Sequence, residues 1–557
     1  MSDGSLRVFG IDLGTTYSAI AYVDESGRTT VCRNTDNLET IPSVVYFENE
    51  SNVVVGSVAK ESAVTQPDRV VSLVKREMGT KAVFDFDGKT HTPETISALI
   101  LKQLAQDGAG YSGGGVDKVV ITVPAYFGML ERDATKNAGK IAGLDVIGIV
   151  PEPVAAALHY EATTGAQDKT VLVYDLGGGT FDTTVIRVSS DEIEVVCTDG
   201  DDRLGGADWD ARLRDHLLAS FSEQVPPGID PEEDEEFLQS LSTLAENTKK
   251  QLSKVDSRPV ALRGAGASAR IDVTRAQFEE MTKDLLDKSI DIVRRTLETL
   301  QDKAPGAKVD EILLVGGSTS MPAVAERLRA EFGWEAKLHD PHLAVAKGAA
   351  LYALGRVVHK EQEEAREKAG SATDGEDRAA DVVSDLESRT GIAAGTLTSL
   401  ADKQTRNVLP KAFGVKLLDT SDPDWERKPE RFYVEHLVHA NDALPTGPQT
   451  LSARTVAEGQ REIEIELYEQ SGARPGPEME ENKFLNEGKG AITGLPALPK
   501  ASPLEIEMQV DEEGLLKVEA TEPSTGKSLR IEVRVSVLSE EEVREATSTV
   551  SALTVSS

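Results

Sequence analysis

Two short strings in this chain carry the residue types that polyphosphate chemistry requires. Asp12-Leu-Gly14-Thr15-Thr16-Tyr17 ends an apolar run, and Asp175-Leu-Gly177-Gly178-Gly179-Thr180 ends another. In each, a carboxylate leaves a strand, glycine permits a tight turn, and backbone N–H groups with hydroxyls face outward as a phosphate cradle. A carboxylate at Asp12 or Asp175 suits an oxygen-ligated magnesium ion, reached through its water shell. A third loop, Ile312-Leu-Leu-Val-Gly316-Gly317-Ser318-Thr319, ends a strand in glycines and leads into a helix from Pro322, an arrangement that favours nucleotide binding. No Gly-x-x-x-x-Gly-Lys-Ser/Thr string accompanies them, so this is not a P-loop protein.

The elements that position these loops follow from periodicity. Leu6–Ile11, Val116–Val123, Thr170–Tyr174 and Val309–Val315 are short apolar runs that read as buried strands. Pro93–Gln106, Leu130–Ala142 and Thr274–Gln301 carry helical patterns. The alternation implies an α/β architecture. The two phosphate strings echo each other: each is apolar strand, Asp, Leu-Gly, hydroxyl, then a second strand (Ser18–Val23 and Asp182–Val188). One building block used twice implies two similar lobes facing each other.

From His359 to about Asn407 the composition turns polar and charged, with short helices expected at Asp381–Leu386 and Thr396–Ala401. From Lys411 the period changes to two. Arg461–Tyr468, Leu504–Val510 and Leu529–Val535 alternate strictly, and Asp511-Glu-Glu-Gly514 is a hairpin turn into Leu515–Ala520. This predicts an antiparallel β-sandwich domain. Ser539 followed by Glu residues marks one further helix start. The expected division is 1–357 for the two-lobed ATPase domain, 358–409 for a partly helical connector, 410–537 for the β-domain and 538–557 for a short tail.

Bulk properties bound the function. The chain has 557 residues and a net charge of −35, which argues against nucleic acid as the main partner. Its two cysteines, Cys32 and Cys197, make no disulfide framework. No apolar stretch reaches membrane-span length, and Met1–Ser5 opens without a charged-then-apolar signal. A cytoplasmic location is the expectation.

On these motifs the first 356 residues resemble the nucleotide-binding domain of the DnaK-type, seventy-kilodalton heat-shock chaperone family, an actin-like fold. Gly10–Ser18 is similar to its first phosphate motif, Asp175–Asp182 to the second, and Leu204–Asp208 to the segment after it, with Gly206. Ile121–Phe127 with Arg132 resembles its proline-switch region, and Glu152–Ala157 its connecting motif. The resemblance implies roles. Lys75 matches the catalytic lysine, which would position the attacking water; Glu152 would help orient water or magnesium and sense the γ-phosphate, and Asp175 and Thr180 complete the implied catalytic set. Asp12 and Asp175 would orient magnesium-bound water, and Thr15, Thr16, Tyr17, Gly178, Gly179 and Thr180 would contact phosphates of ATP or ADP. Glu246, Lys249, Lys250, Ser253, Gly316, Gly317 and Ser318 would hold the adenosine. Pro124 and Arg132 would relay nucleotide state to the second domain.

The back half resembles the family's peptide-binding β-domain through Phe413–Val415, Leu437–Pro445 and Gly494–Pro496. Leu437, Leu451 and Ile463 are the positions expected to meet an apolar polypeptide segment or to fill the sandwich. The resemblance also implies a co-chaperone and a nucleotide-exchange factor as partners. There are departures. Lys250 and Ser320 stand where the family stacks adenine between two arginines, and Ala207 and His342 replace a usual Glu and Asp. Asp402–Pro410 replaces the leucine-rich linker, and no long helical lid is expected. The implied activity is slow Mg-dependent ATP hydrolysis that controls binding of apolar segments. The rival is a nucleotide-gated scaffold for one dedicated partner; a metabolite kinase on the same fold is the third reading.

Overall fold

The protein is described here by a computed structural model covering residues 7–165, 168–226, 230–369, 371–422, 424–427, 429–472, 474–512, 514–533 and 537–557. Leu6, Arg534 and Val535, which the sequence assigns to strands, lie outside these residues.

Two sheets form the cores of two lobes. In the first, Val8–Asp12 pairs in parallel with Lys118–Val123 and antiparallel with Tyr17–Val23. In the second, Lys169–Leu176 pairs in parallel with Glu311–Val315 and antiparallel with Phe181–Val188. The echo seen in the sequence is therefore structural: each phosphate string is the turn between an antiparallel strand pair whose first strand also has a parallel neighbour. The central strands are mostly apolar because helices cover the sheets; Val171 to Leu176, for example, is buried at every position, Asp175 included. Helix ends follow local chemistry. Pro93–Ser112 starts behind Thr92, whose hydroxyl accepts from the Thr95 N–H, and stops at Gly113 in a left-handed conformation. The long pattern expected over Thr274–Gln301 is two helices, Arg275–Met281 and Lys283–Lys303, broken at Thr282.

Residues 358–409 are helical as expected, and are packed into the fold. The helix Ala344–Glu367 runs through the expected boundary, and Ala372–Thr390 and Ala394–Asp402 fold back on it. Val383, Leu386, Ile392, Leu397 and Ala401 join the core between the lobes. These apolar positions are sparse but fall on one face, which bulk composition conceals. Gln404–Arg406 then adds in parallel to the edge of the second lobe's sheet beside Glu192–Asp201, and Lys403 is held by Glu161 at 2.6 Å.

The β-domain consists of two four-stranded sheets. Phe432–Val438, Phe413–Leu418, Ile463–Gln470 and Asn482–Ile492 form one; Gln449–Arg454, Pro503–Val510, Leu516–Glu522 and Lys527–Val533 form the other. Their inner faces close over one core. Leu437 and Ile463 are 8% and 6% exposed inside it, and Leu451 is half-buried against it. Leu437 and Ile463 thus fill the sandwich, one of the two expectations for them, while Leu451 keeps part of its side chain at the surface. The last helix, Glu540–Ala552, is followed by the strand Thr554–Ser556, and both lie on the first lobe.

Candidate functional site

The two antiparallel turns meet across the lobes. A Cβ on Gly178 would fall 2.0 Å from the Thr16 hydroxyl, and one on Gly179 would fall 2.3 Å from the Thr15 methyl. Only glycine allows this approach. Gly316, at φ +82°, brings the third loop so close that a Cβ would meet the Leu176 carbonyl at 2.4 Å, and the Ser318 hydroxyl donates to the Gly177 carbonyl at 2.9 Å. Between the loops opens a cleft of about 430 Å³, the size of a nucleotide-type pocket. Every residue expected to touch nucleotide lines it except Gly179, which sits one layer behind against Thr15 and Gly205. Ala207, Ser320 and His342 line it as well.

Its floor is acidic around one ammonium. Lys75 donates to Glu152 at 2.6 Å, both side chains buried. Burial, then the Glu152 charge, pushes Asp12 up to about 7 against the pull of Lys75 and a hydrogen bond from Thr122. Asp175 is raised by burial and by Glu152, Asp182 and Asp12 together. Asp182 is raised to about 8 by burial and Glu152, although the Tyr126 N–H donates to it at 3.0 Å; its second oxygen has no hydrogen-bond partner. Carboxylates crowded to this degree fit a divalent cation, whose charge would restore their ionised forms. Among the described residues no group of three or more His, Cys, Asp or Glu stands together as a direct metal-ligand set.

The mouth of the cleft is polar. The Tyr17 hydroxyl donates to Glu246 at 2.9 Å, and Lys250 donates to both Tyr17 (2.9 Å) and Glu246 (2.6 Å). Lys60 bonds the same pair from the first lobe. Burial alone would raise Glu246, but the charges and hydrogen bonds of Lys60 and Lys250 hold it at about 2. Lys249 donates to the Gly206 carbonyl and to Asp210, each at 2.8 Å. Ser253 accepts no such partner and caps the Lys249 carbonyl at 3.2 Å. Ser320 lines the same cleft as Lys250.

Pro124 and Arg132 lie outside the cleft and are linked to it. Arg132 donates to the carbonyls of Ala125 (3.1 Å) and Phe127 (2.8 Å), and burial lowers it to about 10. The same turn carries Tyr126, whose N–H holds Asp182 and whose hydroxyl reaches the Gly472 carbonyl of the β-domain at 3.4 Å. Beyond it, Leu130 enters the β-domain core and the Met129 N–H donates to Glu469 at 3.3 Å.

Sequence reasoning missed Lys60, Arg76, Asp182 and Asp208. Arg76 donates to the Gly179 carbonyl at 3.0 Å and to Asp208 at 2.6 Å, bridging the lobes. Asp182 was legible as the carboxylate paired across the turn from Asp175, and Asp208 lay at the end of the Leu204–Asp208 motif without a role; Lys60 and Arg76 carry no local signal. Comparison with family models matches this chain to the family described as Hsp70 protein, over residues 8–85, 80–367 and 415–554.

Proposed function

The chain belongs to the Hsp70 family, a family of ATP-dependent chaperones, and from that premise we propose that it binds Mg-ATP in this cleft, hydrolyses it slowly, and uses the nucleotide state to control how its β-domain meets apolar polypeptide. The observation that supports this best is the contact of the two glycine turns across the lobes, with the Lys75–Glu152 pair between them. Backbone N–H groups of both turns and the hydroxyls of Thr15, Thr16 and Thr180 would bind the phosphates. Lys75 would position the attacking water and offset charge on the transferred phosphoryl group, with Glu152 orienting Lys75. Magnesium, when bound through water by Asp12 and Asp175, supplies charge neutralisation on the phosphates. Closure of the lobes would be fixed by Arg76–Asp208 and by the Lys60–Glu246–Lys250 cluster.

Coupling would run from Asp182 through Tyr126 and the 124–132 turn to Gly472, Glu469 and Leu130, and in parallel through the Gln404–Arg406 strand. With Leu437 and Ile463 in the core, apolar segments would meet another face of the β-domain.

The test is single-turnover hydrolysis of Mg-ATP by wild type and Lys75→Ala, with nucleotide binding measured on both, with and without an unfolded apolar peptide. Hydrolysis by wild type alone, at a rate that peptide changes, is the expected result. If both bind ATP and neither hydrolyses it, the catalytic assignment fails and a nucleotide-gated scaffold replaces it.

A further inference from the structure

The strand Asn52–Val55 of the first lobe would be a sheet edge, because its other neighbour is Val45–Phe47 and the next is Val70–Val71. It is not left as an edge. Thr554–Ser556 adds to it in parallel, in the register Thr554↔Asn52, Val555↔Val53, Ser556↔Val54, and the Thr554 N–H donates to the Ser51 carbonyl at 2.9 Å. Exposed edges are otherwise templates for pairing with other chains.

The site beneath this strand is built. Val550, Leu553 and Val555 are 1%, 5% and 7% exposed, in the same core as Val53, Val55 and Leu101. Lys102, on the Pro93–Ser112 helix, donates to the carbonyls of Val550 and Leu553, each at 3.0 Å. Those carbonyls close the helix Glu540–Ala552, where a cation is favoured. The helix is started by a reciprocal bond pair: the Ser539 N–H donates to Glu542, and the Glu542 N–H to the Ser539 hydroxyl. Spacing switches from helical to alternating over Val550-x-x-Leu553-x-Val555, so one short segment fills a groove and then an edge.

We propose that this groove of the first lobe is a strand-addition peptide site, occupied in cis by residues 550–556, and that the occupant is a removable strap. Its ligand class is an apolar segment with Val and Leu at the end of a helical turn and Val on an extended stretch after it, recognised by main-chain pairing to Asn52–Val54 and by Lys102. The strap is short: three residues pair, against eight between Lys169–Leu176 and Phe181–Val188. It is also placed to matter. Residues 539–556 follow the last β-domain strand and lie against the helix Met129–Ile141, whose Leu130 end is inserted in the β-domain core. The β-domain is thus tied to the second lobe by Gln404–Arg406 on entry and to the first lobe by the strap on exit. Release of the strap would free one tie and open the groove to a like segment from another chain.

The experiment uses the full chain. Amide hydrogen exchange on wild type should show the Thr554 amide and the alternate Asn52–Val55 amides that face the strap exchanging about 100-fold or more faster than those of Val171–Val173, through an opening that leaves the pairing with Val45–Phe47 closed. Equal rates would make the strand an integral part of the lobe and overturn the proposal, whatever the variants do. A labelled peptide with the sequence of residues 539–557 should bind the Leu553→Asp/Val555→Asp protein at least about 10-fold more tightly than wild type, whose groove is filled. A peptide carrying the same two aspartates should not bind. Failure of the native peptide to bind a double variant that still binds nucleotide would also overturn it. Nucleotide binding serves as the fold control, so this result is independent of whether ATP is hydrolysed.

Discussion

Lys75→Ala should destabilise the nucleotide-free protein, and more so at pH 8 than at pH 6. Lys75 lies 2.6 Å from Glu152 and its charge also acts on Asp12, Asp175 and Asp182. At that distance and an effective dielectric of about 20 the attraction is about 6 kcal/mol, an upper limit because both groups give up water. Removing one partner of a buried pair costs about 3–5 kcal/mol. The cost is not fixed, because the remaining carboxylates can take up protons. Asp12 already titrates at about 7 with Lys75 pulling it down, so the variant moves it higher. A carboxyl raised in the folded state binds a proton that the unfolded chain has lost, between the ordinary 3.8 of an aspartate and its folded value. Stability therefore falls as pH rises through that window. Loss of Lys75 extends the window upward, so the gap to wild type widens with pH. For a domain of this size each kcal/mol moves the midpoint by about 1–2 °C, so the deficit should be about 5 °C at pH 8 and visibly smaller at pH 6, read by thermal unfolding without nucleotide. Lys75→Ala/Glu152→Gln removes the charge that raises all three aspartates and should recover part of the loss. A gap that is constant or shrinks with pH, or a double variant no better than the single, would refute the account.

Gly178→Val places side-chain atoms where Thr16 stands, 2.0 Å from a new Cβ; nucleotide affinity should fall at least about 10-fold by calorimetry, with overpacking of about 1–3 kcal/mol behind it. Ser320→Arg restores a planar cation on the base side of the cleft, and adenine nucleotide should bind about 2–30-fold more tightly, from a stacking gain of about 0.5–2 kcal/mol. Glu469 is pushed up to about 7 by burial, against Lys411 and with Glu131, so the contact between β-domain and first lobe should weaken as pH rises from about 5 to 8. Glu469→Gln should flatten that part of the pH dependence, seen as a wild-type-minus-variant difference in thermal midpoint that disappears at low pH.

The parts of this molecule legible in its sequence are those where a local pattern and a tertiary constraint coincide. The phosphate turns were legible because a strand that must end at Asp12 or Asp175, and then approach another backbone closely, leaves no choice but glycine; the chemistry and the geometry restrict the same positions. The β-domain strands were legible because one face is wet and the period of two survives. The helices over 372–402 were not legible as part of the core, because Val383, Leu386, Ile392, Leu397 and Ala401 stand among many Asp, Glu, Ser and Thr residues that leave the composition polar. Lys60, Arg76 and Asp208 acquire meaning only when the lobes face each other across more than 100 positions of chain. The same holds for Leu437 and Ile463, where alternation predicts an inner face without saying whether a ligand or the opposite sheet covers it. Strand Thr554–Ser556 is the extreme case: Val550, Leu553 and Val555 carry a clear pattern, but their partner, Asn52–Val55, lies at the other end of the chain. A pattern of that kind states that a segment must be covered, and the fold alone states by what.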